Sequence, residues 1–179
     1  DDIWIQPASG DAGSALGAAQ IVWYDYLGND REANSDDSMQ GTYLGCKFSN
    51  KEIIDYLIEI KASFKSLHDE DLFNEIARLL DKGKVIGWFN GPMEFGPRAL
   101  GGRSIIGDPR NKEMQTLMNM KIKYRESFRP FAPSVLEENV EDYFELKKKS
   151  PYMLLVAKVK KSLCKEMNSR EKQLFGIDK

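Results

Sequence analysis

The sequence predicts a fold of the α/β or α+β class, in which helices and short strands interleave along the chain. Three observations predict it. Apolar residues recur at helical spacing in several segments, a β-branched and aromatic run at residues 84–89 indicates a strand, and no internal repeat is visible. With 179 residues, of which 41% are hydrophobic and 30% charged, the chain can bury a core.

The individual elements follow from apolar periodicity and from residues that start or stop helices. Helices are predicted over about residues 14–27, 50–61, 71–82, 111–123 and 137–144, and strands over 2–6, 84–89, 103–107 and 152–160. Ser49 or Asn50 can cap the second helix. Gly28 and Gly83 are typical stop residues for the first and third helices. Methionines in the fourth helix are expected to fill the core.

Composition divides the chain near its first quarter. Residues 29–45 are rich in Asp, Asn, Ser and Gly, which is the composition of a mobile linker. The sequence therefore predicts a short unit over residues 1–28, a linker over 29–45 and a second unit over 46–179. The chain opens without a Met and its last residues look cut, so we expect the second unit to be truncated.

Cysteine usage and hydropathy indicate a cytoplasmic protein. Cys46 and Cys164 are the only cysteines, and their spacing is not that of metal ligands, so we expect reduced thiols. No apolar run approaches the roughly 18 residues needed to span a bilayer. The N-terminus also lacks a basic and then apolar signal pattern, and no membrane partner is expected.

A constrained loop that carries two arginines follows the strand predicted at residues 84–89. The segment reads WFNGPMEFGPRALGGRS over residues 88–104. Its glycines permit positive φ angles or close backbone approach, and Pro97 fixes φ directly before Arg98. Because Arg98 and Arg103 carry forked donors, we expect the loop to bind a ligand. A structural turn with solvated arginines is the alternative.

The arginine loop opens a basic tract in a slightly acidic chain. Residues 98–129 hold eight basic and three acidic side chains, an excess of five positive charges. Residues 1–45 hold eight acidic side chains and one basic, and the whole chain has a net charge of −2. This distribution indicates a local anion site rather than a general affinity for polyanions. Arginine is preferred where phosphate is gripped by two parallel hydrogen bonds, which favours a small phosphorylated ligand.

Lys123 and Arg125 stand two residues apart where the fourth predicted helix ends. In an extended segment such residues lie on one face, so both could address a single anion. Lysine would act as a point charge and arginine as a planar fork. The alternative is a solvated helix end, where both side chains satisfy terminal carbonyl groups.

These motifs resemble a specific family, the O-carbamoyltransferases of the nodulation-factor and antibiotic-tailoring type. The motifs resemble the family's C-terminal signature and stand in order over residues 84–144: EFGPRALG (94–101), RS (103–104), DPR (108–110), KYRE (123–126) and FRPFAPSV (128–135). A second segment, QPASGDAGSALGAA (6–19), is similar to the last motif of the family's N-terminal Kae1-like domain. That domain belongs to the actin-like ATPase superfold.

The resemblance implies both a fold and a reaction. Residues 46–179 would form a YrdC-like mixed twisted sheet with flanking helices, preceded by a strand–loop–helix remnant of the actin-like ATPase domain. The YrdC-like domain would use ATP, with Mg²⁺, and carbamoyl phosphate to make carbamoyl-adenylate. The Kae1-like domain would then pass the carbamoyl group to a hydroxyl-bearing small molecule. Full activity is not expected from this chain alone.

The resemblance also implies roles for particular residues. Lys123 and Arg125 would hold phosphate oxygens of ATP or carbamoyl phosphate, and Arg98 and Arg103 would face the same pocket. Further residues of the motifs would bind the nucleotide, either directly or by orienting the arginines or Mg²⁺: Glu94, Asp108, Arg110, Arg129 and Ser134.

The resemblance places a metal outside most of this chain. Asp11 would be one ligand of a metal that also needs two histidines of the N-terminal domain. Fe²⁺ or another divalent ion is therefore expected only in a complete Kae1-like domain. His68 is the only histidine here, and we expect it to lie at the surface.

Two departures from the family pattern leave other functions open. The family usually has Arg where Pro92 stands and Asn where Gly102 stands. A non-catalytic relative is therefore one alternative. An RNA-binding YrdC-like module is another, because Tyr124, Phe128 and Phe131 interleave with basic residues and could stack bases. The net charge of −2 argues against nucleic acid as a partner.

Overall fold

The computed structural model describes residues 5–33, 35–169 and 173. The α+β class predicted from the sequence is confirmed, with five α-helices and one two-stranded antiparallel sheet in those residues. No helix within them has the length and apolar character that crossing a membrane requires. The chain divides into two compact units between residues 107 and 108, and each is described by itself. The domain limits predicted at residues 28 and 45 stay predictions.

The first unit begins with a helix that starts earlier than its apolar stripe. Helix α1 spans Asp11–Ile21 and continues as a wider π-helical turn, Val22–Tyr26. Gly28 follows with a φ of 67°, the left-handed conformation expected of a residue that stops a helix. Of the strand predicted at residues 2–6, residues 2–4 lie outside the described residues. Residues 5 and 6 form no strand.

Helices α2 (Asn50–Glu59) and α3 (Asp69–Asp81) lie close to their predicted positions. Three acidic residues in the first turn of α3 and Arg78 in its last turn suit the helix dipole. Gly83 ends this helix with a φ of 72°, and Lys84 donates its backbone N–H to the Leu79 carbonyl at 3.0 Å. The chain then enters the first strand.

Helix α2 depends on a reciprocal cap at Ser49. The Ser49 hydroxyl accepts the backbone N–H of Glu52, and the Glu52 carboxylate accepts the backbone N–H of Ser49 at 2.7 Å. We expect Ser49→Ala to destabilise the helix by about 1 kcal/mol. Peptide-resolved hydrogen exchange over residues 50–59 would then be several-fold faster. Ser66→Ala, a change in an exposed loop, is the control, and equal exchange in both variants would contradict the prediction.

The two strands form an antiparallel pair that supports the arginine loop. Strand β1 spans Ile86–Phe89 and strand β2 spans Arg103–Ile106. Ile86 lies opposite Ile106, and Phe89 lies opposite Arg103. Because the strands are neighbours, residues 90–102 must leave and re-enter the sheet at the same end. The predicted strands are therefore confirmed, and they close the loop into a defined hairpin connection.

The second unit contains shorter helices than the sequence predicts. Helix α4 spans Met114–Leu117 and continues as a π-helical segment, Met118–Lys123. It begins late because the Asn111 side chain accepts the backbone N–H of Glu113 at 2.9 Å and holds a turn. Met114 and Met118 are buried, as predicted. Residues predicted as one helix at 137–144 form a 3₁₀ turn, Glu137–Asn139, and helix α5, Val140–Tyr143.

The strand predicted at residues 152–160 is wrong. The segment contributes a single antiparallel bridge between Phe144 and Val159, bordered by the hydrogen bond from Glu145 to the Lys158 carbonyl at 2.8 Å. Met153 has a φ of 52°, which an extended strand does not permit. The alternation of apolar and polar residues at 152–160 is therefore present, but the segment is paired at one bridge rather than along a strand.

Candidate functional site

Residues 90–102, called here the arginine loop, are fixed by hydrogen bonds to an earlier segment of the first unit. Gly45 donates to the Met93 carbonyl and Met93 donates to the Cys46 carbonyl, both at 2.9 Å. Phe95 donates to the Thr42 carbonyl at 2.6 Å, and the Tyr43 hydroxyl donates to the Leu100 carbonyl. These bonds give the loop one backbone course, so its side chains are presented in fixed directions.

Glu94 is the internal organiser of the arginine loop. Its side chain is only 7% exposed, and Oε1 accepts backbone N–H groups of Leu100 at 2.7 Å, Gly102 at 2.7 Å and Arg103 at 3.3 Å. Burial raises the pKa of Glu94, but the backbone hydrogen bonds together hold that pKa below its usual value. The carboxylate therefore stays ionised and gathers the far end of the loop around itself.

Arg103 binds the backbone of its own loop. Its Nη1 donates to the carbonyl groups of Gly102 at 2.8 Å, Gly91 at 3.1 Å and Asn90 at 3.3 Å. Nη2 donates to the Cys46 carbonyl at 3.2 Å, and the guanidinium lies 3.4 Å from the centre of the Phe89 ring. The structure thus gives Arg103 a holding role, and its contact with a phosphate stays a prediction.

Arg98 lies at the exposed tip of the arginine loop. Its side chain makes no hydrogen bond or ion pair with any residue that the structure describes. Gly96 and Gly101 flank it with φ angles of 109° and 110°, a conformation that favours glycine. The loop is therefore held on both sides of Arg98, while the guanidinium itself is available to a ligand.

The family departure at Gly102 has a steric reason. A Cβ atom at this buried position would lie 2.6 Å from the Pro92 carbonyl oxygen and 3.0 Å from Glu94 Oε2. The backbone oxygen cannot move away without shifting the loop, so glycine is required in this backbone course. The two residues that depart from the family pattern, Pro92 and Gly102, are thus neighbours in the loop, because a Cβ atom at residue 102 would clash with the Pro92 carbonyl oxygen.

Thr42 shows strain that the sequence did not indicate. It has a φ of 65°, which is rare for a β-branched residue, and its neighbours Gln40 and Gly41 are also left-handed. The Thr42 side chain is buried, and its hydroxyl has no hydrogen-bond partner within the described residues. The Thr42 carbonyl accepts the backbone N–H groups of Phe95 at 2.6 Å and Leu44 at 2.8 Å, so the strained turn is part of the anchor of the arginine loop.

Asp108 and Arg110 form an ion pair. Arg110 donates from Nη2 to Oδ2 of Asp108 at 2.7 Å and from its backbone N–H to Oδ1 at 2.9 Å. The Arg110 side chain holds the pKa of Asp108 below its usual value. Glu94 and Asp108 thus already accept strong donors, so we assign no Mg²⁺ step to them. Their predicted part in nucleotide binding stays a prediction.

Asn119 is the centre of a polar cluster in the second unit. The residue is fully buried, and its Nδ2 donates to the carbonyl groups of Arg129 at 2.8 Å and Ser127 at 3.0 Å. Its Oδ1 accepts Nε of Arg125 at 2.6 Å. Gln115, one turn earlier, donates to the carbonyl groups of Phe128 and Arg129, both at 3.2 Å. We call these residues, with Phe131, the Asn119 cluster.

The turn after α4 separates Lys123 from Arg125. Tyr124 is left-handed, with φ 49° and ψ 51°, and the Arg125 N–H returns to the Asn119 carbonyl at 3.0 Å. The extended geometry assumed for Lys123 and Arg125 is therefore absent, because this turn closes the helix. Lys123 is exposed and makes no hydrogen bond, ion pair or ring contact within the described residues, whereas Arg125 is half-buried and stacks 4.8 Å from the Phe131 ring centre.

The side chains of the remaining predicted residues do not join these groups, although the Arg129 carbonyl belongs to the Asn119 cluster. Arg129 pairs with Glu126 at 2.7 Å, and this arginine holds the pKa of Glu126 below its usual value. Ser134 is exposed, as is His68, which precedes α3. Asp11 is exposed in the first turn of α1, and the described residues contain no group of three His, Cys, Asp or Glu suited to a metal. Its metal role stays a prediction.

Sequence reasoning missed the structural role of Glu94 and Asn119, which is to hold the two loops by hydrogen bonds to backbone groups. Glu94 was expected to orient an arginine or Mg²⁺, and the structure shows it gathering N–H groups. Asn119 was not singled out, although a signal exists. It stands one residue after the buried Met118 and four after Gln115, so both amides share a helix face that meets the following loop.

Each unit of this α+β fold holds one basic segment with exposed positive side chains: Arg98 in the arginine loop of the first unit and Lys123 beside the Asn119 cluster of the second. Residues 77–172 match the family described as Carbamoyltransferase C-terminus, which is more than half of the chain. The chain therefore belongs to that family, as its motifs suggested. Both the arginine loop and the Asn119 cluster lie within the matched residues.

Similar proteins extend this result. An uncharacterized protein of Synechocystis sp. is 59% identical over 99% of this chain and 29% of its own length. Nodulation protein NolO of Bradyrhizobium diazoefficiens is 39% identical over 90% of this chain and 30% of its own length. Nodulation protein U of Rhizobium fredii is 34% identical over 86% and 24%. The chain thus spans less than a third of each relative.

Proposed function

We propose that this chain supplies the ATP- and carbamoyl-phosphate-binding part of an O-carbamoyltransferase. The family match and the nodulation proteins among its relatives support a carbamoyl transfer. One observation carries the choice of ligand: Arg98 and Lys123 are exposed, and neither side chain makes a hydrogen bond, ion pair or ring contact with a residue that the structure describes. Cations held in this way suit the phosphate groups of both substrates.

The proposed reaction forms carbamoyl-adenylate. Carbamoyl phosphate and water give carbamate and phosphate. A carbamate oxygen then attacks the α-phosphorus of ATP, and the bond to pyrophosphate breaks. Negative charge builds on phosphate oxygens in this transition state, so fixed arginine and lysine donors lower its energy and no side-chain nucleophile is needed. Bound Mg²⁺ would neutralise part of the same charge.

The rest of the transfer is proposed for the full-length protein, meaning the complete translation product that contains this chain. There the carbamoyl group would pass to the hydroxyl of a small molecule, and Asp11 would be one ligand of a divalent metal. We place the protein in the cytoplasm, where ATP is available. Each unit would support phosphate binding through its own loops, the first unit through Arg103 and the second through Arg110, Arg129 and Ser134.

Lys123→Ala tests the ligand assignment. A lysine contact to phosphate contributes about 1.5–3 kcal/mol, so we expect ATP to bind about 10- to 100-fold more weakly in calorimetric titration of the full-length protein. Lys112→Ala is the matched control, because it removes the same charge from another exposed lysine of this unit. An equal loss of ATP affinity in both variants would show that the effect comes from the net charge of the protein rather than from a contact of Lys123, and would contradict the assignment.

RNA binding is the second candidate, and one observation favours it. Tyr124 is 86% exposed beside Lys123, in the position of a base-stacking side chain. Titration with a short single-stranded RNA distinguishes the candidates. Strongly salt-dependent RNA binding in the absence of any ATP binding would favour this second function.

A further inference from the structure

We infer that Asn119 is a positioning residue that orients Arg125 toward a phosphate oxygen of the bound substrate. The inference rests on the proposed function, because it assigns Arg125 to that phosphate site. Asn119 is itself fully buried and cannot touch a ligand. Its effect would therefore pass through the arginine that it holds.

The geometry fixes Arg125 from three directions. Its Nε donates to Oδ1 of Asn119 at 2.6 Å, its backbone N–H donates to the Asn119 carbonyl at 3.0 Å, and its guanidinium stacks on Phe131. Neither Nη group donates to a residue that the structure describes. The outer edge of the guanidinium therefore remains for an anion, while its plane and direction are already set.

Such pre-orientation matters because a planar fork binds phosphate only in a narrow range of angles. A loose arginine would lose side-chain entropy on binding, whereas the Asn119 bond and the Phe131 ring have already restricted this one. The asparagine amide is also fully used, since Nδ2 binds Ser127 and Arg129 carbonyls. The Asn119 side chain thus sets both the backbone course of the loop after α4 and the direction of the Arg125 guanidinium.

Gln115 offers a control for the purely structural part of this role. Its Nε2 donates to the same loop, at the carbonyl groups of Phe128 and Arg129. It has no hydrogen bond to the Arg125 guanidinium. Gln115→Met therefore loosens the loop while leaving the bond between Asn119 and Arg125 in place.

The test measures the affinity of the full-length protein for ATP and for carbamoyl phosphate by calorimetry. We expect Asn119→Leu and Arg125→Lys each to weaken binding about tenfold, and Gln115→Met to change it less than twofold. Arg125→Lys keeps the charge and leaves Asn119 with its bonds to the Ser127 and Arg129 carbonyl groups, so it serves even if Asn119→Leu folds poorly. The double variant Asn119→Leu/Arg125→Ala should bind no more weakly than Arg125→Ala alone.

A ligand-independent signal separates this inference from the proposed function. In ¹⁵N NMR of the wild-type protein, the Nε–H of Arg125 should exchange slowly, and Asn119→Leu should abolish that protection while Gln115→Met preserves it. Unprotected Nε–H, wild-type affinity in Arg125→Lys, or additive losses in the double variant would overturn the inference. A protected Nε–H without binding of either substrate would overturn the proposed function and, with it, the role of Arg125 toward phosphate.

Discussion

Replacement of Glu94 by alanine is expected to lower the free energy that holds the arginine loop closed by about 3 kcal/mol. The change removes the shared acceptor of three backbone N–H groups at Leu100, Gly102 and Arg103. Hydrogen exchange over residues 90–102 should become about a hundredfold faster, because exchange follows the free energy of local opening. Substrate affinity should fall as well, since the loop presents Arg98.

Two comparisons make the Glu94 result specific. Glu94→Gln keeps an acceptor oxygen and loses the charge, so its effect should be about 1 kcal/mol. Glu59→Ala, at the exposed end of α2, should leave the exchange of residues 90–102 unchanged. Exchange in Glu94→Ala as slow as in the wild type would show that the loop does not depend on this carboxylate.

The same residue predicts a pH dependence with a definite sign. The pKa of Glu94 is lower in the folded protein than its ordinary value. Its stabilisation is therefore complete above the ordinary pKa, about 4.3, and is lost as the pH falls through the lower folded value. The loop stabilities of the wild type and Glu94→Gln should accordingly begin to converge below about pH 4.3 and meet only below the lower folded pKa, where Glu94 is protonated in both states.

Replacement of Gly102 by asparagine is expected to lower the free energy of unfolding by about 2 kcal/mol. A Cβ atom at residue 102 would lie 2.6 Å from the Pro92 carbonyl oxygen, so the backbone of the loop must shift. Urea unfolding of the wild type and the variant measures the difference. Gly87→Ala is the control, because a Cβ atom at that strand glycine meets nothing within 4 Å.

A double substitution tests whether Pro92 and Gly102 depend on each other. Arginine and asparagine are the residues that the motif resemblance leads us to expect at these positions. If the two sites are coupled, Pro92→Arg/Gly102→Asn should be more stable than the sum of the single changes by about 1 kcal/mol. Strict additivity would show that the steric contact does not explain why both departures occur in this chain.

The elements that the sequence predicted well carry their own local signals. Helix α2 begins at a Ser49 cap, α3 ends at Gly83, and β1 consists of apolar residues between turn residues. Such signals act within a few residues and do not depend on distant packing. The arginine loop was also recognisable, because its glycines permit positive φ angles and close backbone approach, while Pro97 fixes φ next to Arg98.

The contacts within the site could not be predicted in the same way, because they join residues that local signals do not connect. Alternation at residues 152–160 indicated a strand, but a strand needs a partner, and among the described residues the segment forms one bridge, from Val159 to Phe144. The spacing of Lys123 and Arg125 predicted that both side chains lie on one face of an extended segment. The left-handed conformation of Tyr124 between them rules out that extended geometry. Burial of Asn119 depends on where the loop after α4 returns, which composition does not specify.

Formation of carbamoyl-adenylate by the full-length protein tests the central claim most directly. ATP and carbamoyl phosphate should together release pyrophosphate and phosphate in equal amounts, with carbamoyl-adenylate detected by mass spectrometry. Omission of carbamoyl phosphate should stop the release of pyrophosphate. Release of pyrophosphate at the same rate without carbamoyl phosphate, or conversion of ATP to ADP alone, would contradict the account.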